Sequence, residues 1–354
     1  MPSQRLALVA VLAVATSAAG TNSRAGAAQG PSITQMAGQL MLVRMSGQVP
    51  SPSFVGRVRR GEIGGVVLFS DNFGVGGPAA LIATLQAAAK AGHRPPLLIA
   101  VDQEGGIVKR LPGAPSLAPP EMRSATVADA QGLATGRNLA RLGINVDLAP
   151  VLDVGHGGFI TPRTFGTSPI TAAARGTAFA SGLARGHVLA TAKHFPGLGH
   201  AVLNTDQTVT KVTATASQLK ADWLPFKTAT KAGVPLVMMS TAVYPALGSS
   251  RPAALSPDIV GDLRRLGFKG VVVTDALQTP AVNAFMTTAK AAVAAVEAGN
   301  DLVLAAGSTD NYADTDGASI SAYNALVGAA RSGRLDDRVL ASAYARVIAL
   351  KKRM

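Results

Sequence analysis

Val271-Val272-Val273-Thr274-Asp275-Ala276 is a run of four strand-forming residues that ends in a carboxylate. Before it lies a helical pattern, Ser256 to Leu266, that stops at Gly267. After it comes a second, Ala281 to Ala298, that stops at Gly299 and leads into another short apolar run, Asp301 to Ala305. A run that is apolar at consecutive positions reads as a strand covered on both faces, and the flanking helices supply the cover. Glycine just past the last periodic residue marks a helix C-terminus.

The same unit repeats outward along the chain. Short apolar runs occur at Met41 to Met45, Gly65 to Phe69, Leu97 to Val101, Asn145 to Leu148, Leu189 to Ala192 and Leu236 to Ser240. Helical patterns stand between them at Ala79 to Ala91, Val127 to Leu142, Ala172 to His187 and Ser217 to Ala232, the last broken near Pro225. Ser319 to Arg331 and Asp336 to Lys352 close the chain. Eight strands alternating with helices predict an α/β fold of the (β/α)8 TIM-barrel type, where a doubly wound sheet would have about five to seven. No linker or repeat interrupts residues 31–354, so a single domain is expected there.

Of the 354 residues, 48% are hydrophobic and none is cysteine, which leaves a large core and excludes disulfide frameworks, thiolate nucleophiles and zinc ribbons. Residues 1–30 read as a secretory signal and spacer: Arg5, an apolar run from Leu6 to Ala15, then small-residue sites at Ser17-Ala18-Ala19 and Ala25-Gly26-Ala27. That run is shorter than the ~20 residues of a membrane span. Without Arg5 and Arg24 the formal charge falls from +13 to +11. A basic exported chain suits anionic surroundings, and a secreted or cell-envelope location is expected. Nucleic acid is disfavoured, because the cations are scattered and only four Tyr and one Trp are present for base stacking. The cluster Arg57, Arg59, Arg60 reads as a solvated helix face.

In a barrel of this type the chemistry sits at the C-terminal ends of the strands. The residues there are Asp102-Gln103-Glu104-Gly105-Gly106 with Lys109 and Arg110; Asp147, Asp153 and Arg163; Lys193-His194-Phe195-Pro196-Gly197-Leu198-Gly199-His200 with Asn204-Thr205-Asp206; Ser240-Thr241; and Asp275. Each has a plain structural role open to it. Asp102 or Glu104 could cap a helix or pair with Arg110, and Asp275 could be an N-cap. Their convergence on one face favours function. Phosphate loops, nucleophile elbows and zinc-protease helices are missing. Only His194 and His200 lie close in sequence, which is weak grounds for a metal. Carboxylates with Lys, Arg and His donors around a barrel mouth suit a polyhydroxylated substrate.

The segments Asp102 to Gly106, Gly143 to Val154, Lys193 to Gly199 and Thr274-Asp275-Ala276 resemble glycoside hydrolase family 3, and the Pro-Gly after Lys193-His194 resembles its single-barrel bacterial β-N-acetylglucosaminidases. The resemblance implies that Asp102, Arg110, Arg163, Lys193 and His194 bind the hydroxyls of the non-reducing sugar and that Asp275 is the nucleophile of a retaining hydrolase. Where that branch carries Asp-Ser-His, with the His as acid/base, this chain has Asn204, Thr205 and Asp206. Ile107 and Leu198 also stand where the family often has Arg and His.

Two readings of the departure stay open. Asp206 could be a carboxylic acid/base, with the neutral Asn204 avoiding a second repelling carboxylate. Alternatively the acid is lost and the barrel only binds sugar or peptidoglycan. His200, on the same loop, is a second candidate acid. The expected activity is an exported exo-β-glycosidase releasing terminal β-linked N-acetylhexosamine, or a related β-linked sugar, from cell-wall material. Water is expected as the acceptor, since a carboxylate at the anomeric centre repels phosphate. No metal or organic cofactor is implied, and neither nucleic acid nor stable membrane insertion after signal cleavage is expected.

Overall fold

All eight apolar runs form strands in the computed structural model, which describes residues 30–74, 77–307 and 315–354. They are β1 (Met41–Arg44), β2 (Gly65–Leu68), β3 (Leu98–Val101), β4 (Val146–Asp147), β5 (Leu189–Phe195), β6 (Leu236–Met239), β7 (Val271–Thr274) and β8 (Val303–Ala305). Each pairs in parallel with the next, and β8 returns to β1 with Met41 opposite Val303. A parallel bridge between Val273 and Leu302 closes the ring. The reading of residues 1–30 as a signal and spacer lies, apart from Gly30, outside the described residues. Among those described, no helix is long and apolar enough to cross a membrane.

The consecutive apolar pattern divides into two buried layers. Leu42, Val67, Leu98, Ala100, Val146, Leu189, Leu236, Val271 and Leu302 meet in one cluster that fills the barrel. Their neighbours Met41, Val43, Val66, Ile99, Val237, Val272 and Val303 join the helices in the other. Alternate strand residues point to opposite faces, and here both faces are covered.

The helices are α1 (Ile33–Gln39), α2 (Pro52–Arg60), α3 (Ala79–Ala91), α4 (Ala125–Arg141), α5 (Pro169–Arg185), α6 (Ala216–Ala221), α7 (Leu224–Lys231), α8 (Pro257–Arg265), α9 (Pro280–Asn283), α10 (Thr288–Glu297), α11 (Thr315–Arg331) and α12 (Asp337–Lys351). Ser51, Ser124 and Ser168 cap α2, α4 and α5 by accepting first-turn N–H groups. The predicted break near Pro225 falls at Asp222 and Trp223. Pro225 itself sits in the first turn of α7, where no amide proton is needed.

Two expectations are corrected. The single helix read over Ala281 to Ala298 is two, α9 and α10, the second starting at a Thr287 cap. The arginine cluster on α2 is only partly solvated. Arg59 and Arg60 are exposed, but Arg57 is buried, donates to Ser319 Oγ on α11 at 2.9 Å and lies 3.5 Å from Glu62. Phe54, Arg57 and Val58 stand three and four residues apart, so they share the face of α2 that turns inward.

Candidate active site

The positions named above meet at the C-terminal mouth of the barrel. Asp102, Arg110, Arg163, Lys193, His194, Asp206 and Asp275 all line one cavity of about 520 Å³. Phe69, Phe159, Leu198, Met238 and Leu304 supply apolar wall. His200 is not part of this lining; its ring stacks on His156 and faces Asp222.

Beyond β3, residues Gln103–Gly105 turn back on Val108–Lys109 as a two-stranded hairpin. Gly105 and Gly106 make the turn at φ 98° and 59°, a region that costs a side-chain-bearing residue energy. The Gln103 side chain ties the hairpin down. Its Oε1 accepts from the amides of Arg110 and Leu111, and its Nε2 donates to the carbonyls of Leu111 and Ala114. Arg110 is thereby brought over Asp102, 4.0 Å away, with its guanidinium against the Phe69 ring.

β5 runs three residues further than its apolar pattern, through Lys193, His194 and Phe195, all buried. A buried cation persists only when paired, and both Lys193 and the His194 ring face a carboxylate. Lys193 Nζ lies 2.7 Å from both Asp102 Oδ1 and Glu104 Oε1. Burial alone would lower the Lys193 pKa, but Asp102 and Glu104 raise it overall. His194 Nδ1 meets Asp153 Oδ2 at 2.7 Å, which leaves Nε2 for the cavity. Asp153, fully buried, also accepts from the His194 and Leu198 amides and so fixes the turn after β5.

Glu104, mentioned at the strand end but given no site role, joins these groups. Arg163 donates to both of its oxygens, at 2.8 and 2.7 Å, and Lys193 reaches one of them. Alternate positions of an extended chain share a face, so the spacing of Asp102 and Glu104 was the available signal. Burial pushes the Glu104 pKa up, yet Arg163 and Lys193 outweigh it and hold the value at about 2. A depressed carboxyl pKa adds stability that is fully present above the ordinary value of 4.5 and is lost as pH falls toward 2, roughly 3 kcal/mol in all. Glu104→Gln should therefore unfold about 3 kcal/mol more easily at pH 7 and lose much of its acid sensitivity. Urea melts at pH 7 and pH 3 would show this, and equal midpoints for the two proteins would refute it.

Asp147, at the end of β4, behaves in the opposite way. It is buried, accepts from the Gln103 amide with Oδ1 and leaves Oδ2 without a hydrogen bond. Burial raises its pKa to about 8, which favours its protonated form.

Asp206 stands on the loop after β5, where the Asn204 side chain accepts from its backbone N–H at 3.0 Å. The loop leaves by pairing with the segment after β6, Val212 N donating to Val243 O and Val243 N to Thr210 O. Burial is the main reason that the Asp206 pKa rises to about 6. The Asp275 carboxylate adds to the rise, while Arg163 and His194 pull against it. Asp275 directly follows β7. Its amide donates to Met239 O, and its Oδ1 accepts from Ala276 N at 2.7 Å. It caps no helix, since α9 begins after Thr279. Two carboxyl groups, one helped by the other to hold its proton, thus share a cavity rimmed by hydrogen-bond donors.

The family model described as Glycosyl hydrolase family 3 N terminal domain matches residues 32–350. An uncharacterized secreted glycosyl hydrolase of Arthroderma benhamiae is 35% identical over 333 residues, covering 90% of this chain and 93% of that protein. The β-N-acetylhexosaminidase of Beutenbergia cavernae superposes with a TM-score of 0.81 at 34% identity, over 91% of this chain and 98% of that one. A family 3 β-N-acetylglucosaminidase from Paenibacillus sp. str. FPU-7 superposes at 0.84 with 33% identity, over 91% of this chain, which spans 62% of that longer protein. The closed (β/α)8 barrel, the carboxylate-bearing mouth and these matches agree: the chain belongs to glycosyl hydrolase family 3 and is a glycoside hydrolase.

Proposed function

We propose that this enzyme is an exported, retaining exo-β-glycosidase that removes terminal β-linked N-acetylhexosamine, with Asp275 as nucleophile and Asp206 as acid/base. The observation that carries the reading is the pairing of Asp275 with an Asp206 whose pKa is lifted to about 6 in the same cavity. A glycosidase needs one carboxylate to attack the anomeric carbon and one group still protonated when the glycosidic oxygen departs. Asp102, Arg110, Arg163, Lys193 and His194 offer both acceptors and donors to the hydroxyls of a sugar ring, and the proposed substrate class follows that of the similar β-N-acetylglucosaminidase and β-N-acetylhexosaminidase. Export and a cell-wall source of substrate rest on the signal-like residues 1–30 and the charge of +13. A single-domain extent of 31–354 fits the compact unit Ser32–Met354.

The mechanism follows from these positions. Arg163 and Lys193 are locked by Glu104 and Asp102, so they meet the sugar without first being ordered. Asp275 attacks the anomeric carbon as Asp206 gives its proton to the leaving oxygen, and the glycosyl-enzyme forms. Asp206, now ionised, takes a proton from water, which displaces Asp275 and regenerates both groups. The negative charge left on Asp206 opposes an anionic acceptor at this second step.

The test is turnover of aryl β-N-acetylglucosaminide and aryl β-glucoside by the purified protein, with the product anomer followed by NMR. Hydrolysis of the first in excess of the second, with the β-anomer formed initially, is expected. Inversion would overturn the nucleophile assignment. Failure of a folded protein to hydrolyse either, while it binds N-acetylglucosamine, would favour a barrel that binds sugar without cleaving it.

A further inference from the structure

Outside the cavity, the segments after β4 and β5 cross so closely that only glycine fits. A Cβ on Gly199 would fall on the Val154 carbonyl, and one on Gly158 on the Ala201 carbonyl. The crossing sets His156 of the first segment against His200 of the second, ring centroids 3.7 Å apart and planes 13° from parallel. Both face Asp222, at the junction of α6 and α7. His156 Nε2 bonds Asp222 Oδ2 at 2.9 Å, and His200 Nε2 lies 3.2 Å from the same oxygen. The second contact lacks hydrogen-bond alignment, so His200 Nε2 is a buried nitrogen without a hydrogen-bond partner.

The geometry points to a zinc site formed by His156 Nε2, His200 Nε2 and an Asp222 carboxylate oxygen, separate from the glycosidase cavity. Three observations support it. The ligand atoms all lie within 4.8 Å of one another. Zinc at ~2.0–2.1 Å from each of its ligands sets neighbouring ligand atoms ~3.4 Å apart, so in distance the contacts of 2.9 and 3.2 Å fall short by a few tenths of an ångström, while the stacked rings must reorient. Asp222 is buried, and among the described residues its ion-pair partners are the two imidazoles alone, with no lysine or arginine to neutralise it. A bound cation would satisfy both this carboxylate and the stranded His200 nitrogen.

Two nitrogens and one oxygen are an ordinary donor set for zinc, with water in the fourth position. His156 is exposed, which leaves that position open to solvent and lets its ring turn. It must turn, because parallel rings cannot both aim their lone pairs at one ion. The ion would then fasten together three segments, including the loop that carries Asp206 six residues after His200.

Titration of the metal-stripped full chain with Zn2+, followed by calorimetry, tests the site without reference to catalysis. One saturable site per chain is expected, with a higher melting temperature and, when Co2+ replaces Zn2+, the visible bands of a four-coordinate complex. Outer contacts of metal-bound histidines are worth ~10–100-fold in affinity, so loss of a ligand should cost no less. His156→Ala, on the exposed side, should show that loss while keeping its circular dichroism, and Asp222→Asn should repeat it. No saturable binding to the wild type would overturn the proposal. So would unchanged affinity in folded His156→Ala, which would place the ion among other groups such as the cavity carboxylates.

Discussion

Asp275→Asn is expected to lower kcat by ~10⁴-fold or more, while the melting temperature stays within a few degrees of wild type. The amide has the same shape, and the contact that holds this side chain can survive, because an amide oxygen still accepts from Ala276 N as Asp275 Oδ1 does. What disappears is the nucleophile. The substitution has a second consequence that a merely structural aspartate would not produce. After burial, the Asp275 carboxylate is the next cause of the high Asp206 pKa, so its removal should move that pKa down from about 6. Carbon-detected NMR titration of the Asp206 carboxyl in wild type and variant reads this shift directly. Turnover within about tenfold of wild type would sink the nucleophile assignment. Lost turnover with an unshifted Asp206 would separate the two carboxyl groups as a working pair.

The barrel was legible in the sequence because its strands are buried on both faces. Val271 to Thr274 and Leu236 to Met239, short and continuously apolar between helical patterns, read as interior β-strands. The end of β5 was not legible in that way. Lys193-His194 breaks an apolar run, and it stays in the strand only because Asp102, Glu104 and Asp153 arrive from two other strand ends to pair with it. Such pairings join residues about 40 to 90 positions apart, and no local pattern reports them. The role of Glu104 was hidden for the same reason: beneath Arg163 it is a paired buried anion, whereas in the sequence it is one more acid near a strand end. Arg57 reads as solvated within a run of three arginines, yet its helical spacing from Phe54 places it on the inward face of Pro52–Arg60. The His156, His200 and Asp222 cluster draws on three separate segments, so His200 could be weighed only against its neighbour His194.

For Asp206→Ala the expected loss depends on what leaves. General acid catalysis is worth ~10²–10⁴-fold, and that amount should vanish for natural oligosaccharides and alkyl glycosides, whose alkoxides need a proton. Aryl glycosides with acidic phenols need little protonation, so their first step should proceed and the glycosyl-enzyme accumulate. Azide should then restore turnover, because it attacks without help from a base and fits the space and charge that the carboxylate vacated. The pH profile makes the assignment sharper. A general acid must hold its proton, so with a pKa of about 6 the wild-type kcat/KM should fall as pH rises through about 6, and Asp206→Ala should lose that limb. Asn204→Asp would set a carboxylate at the atom that now accepts from the Asp206 amide, and its charge should push the limb to higher pH. Equal losses for all leaving groups, together with an unchanged limb, would mean that another group supplies the proton.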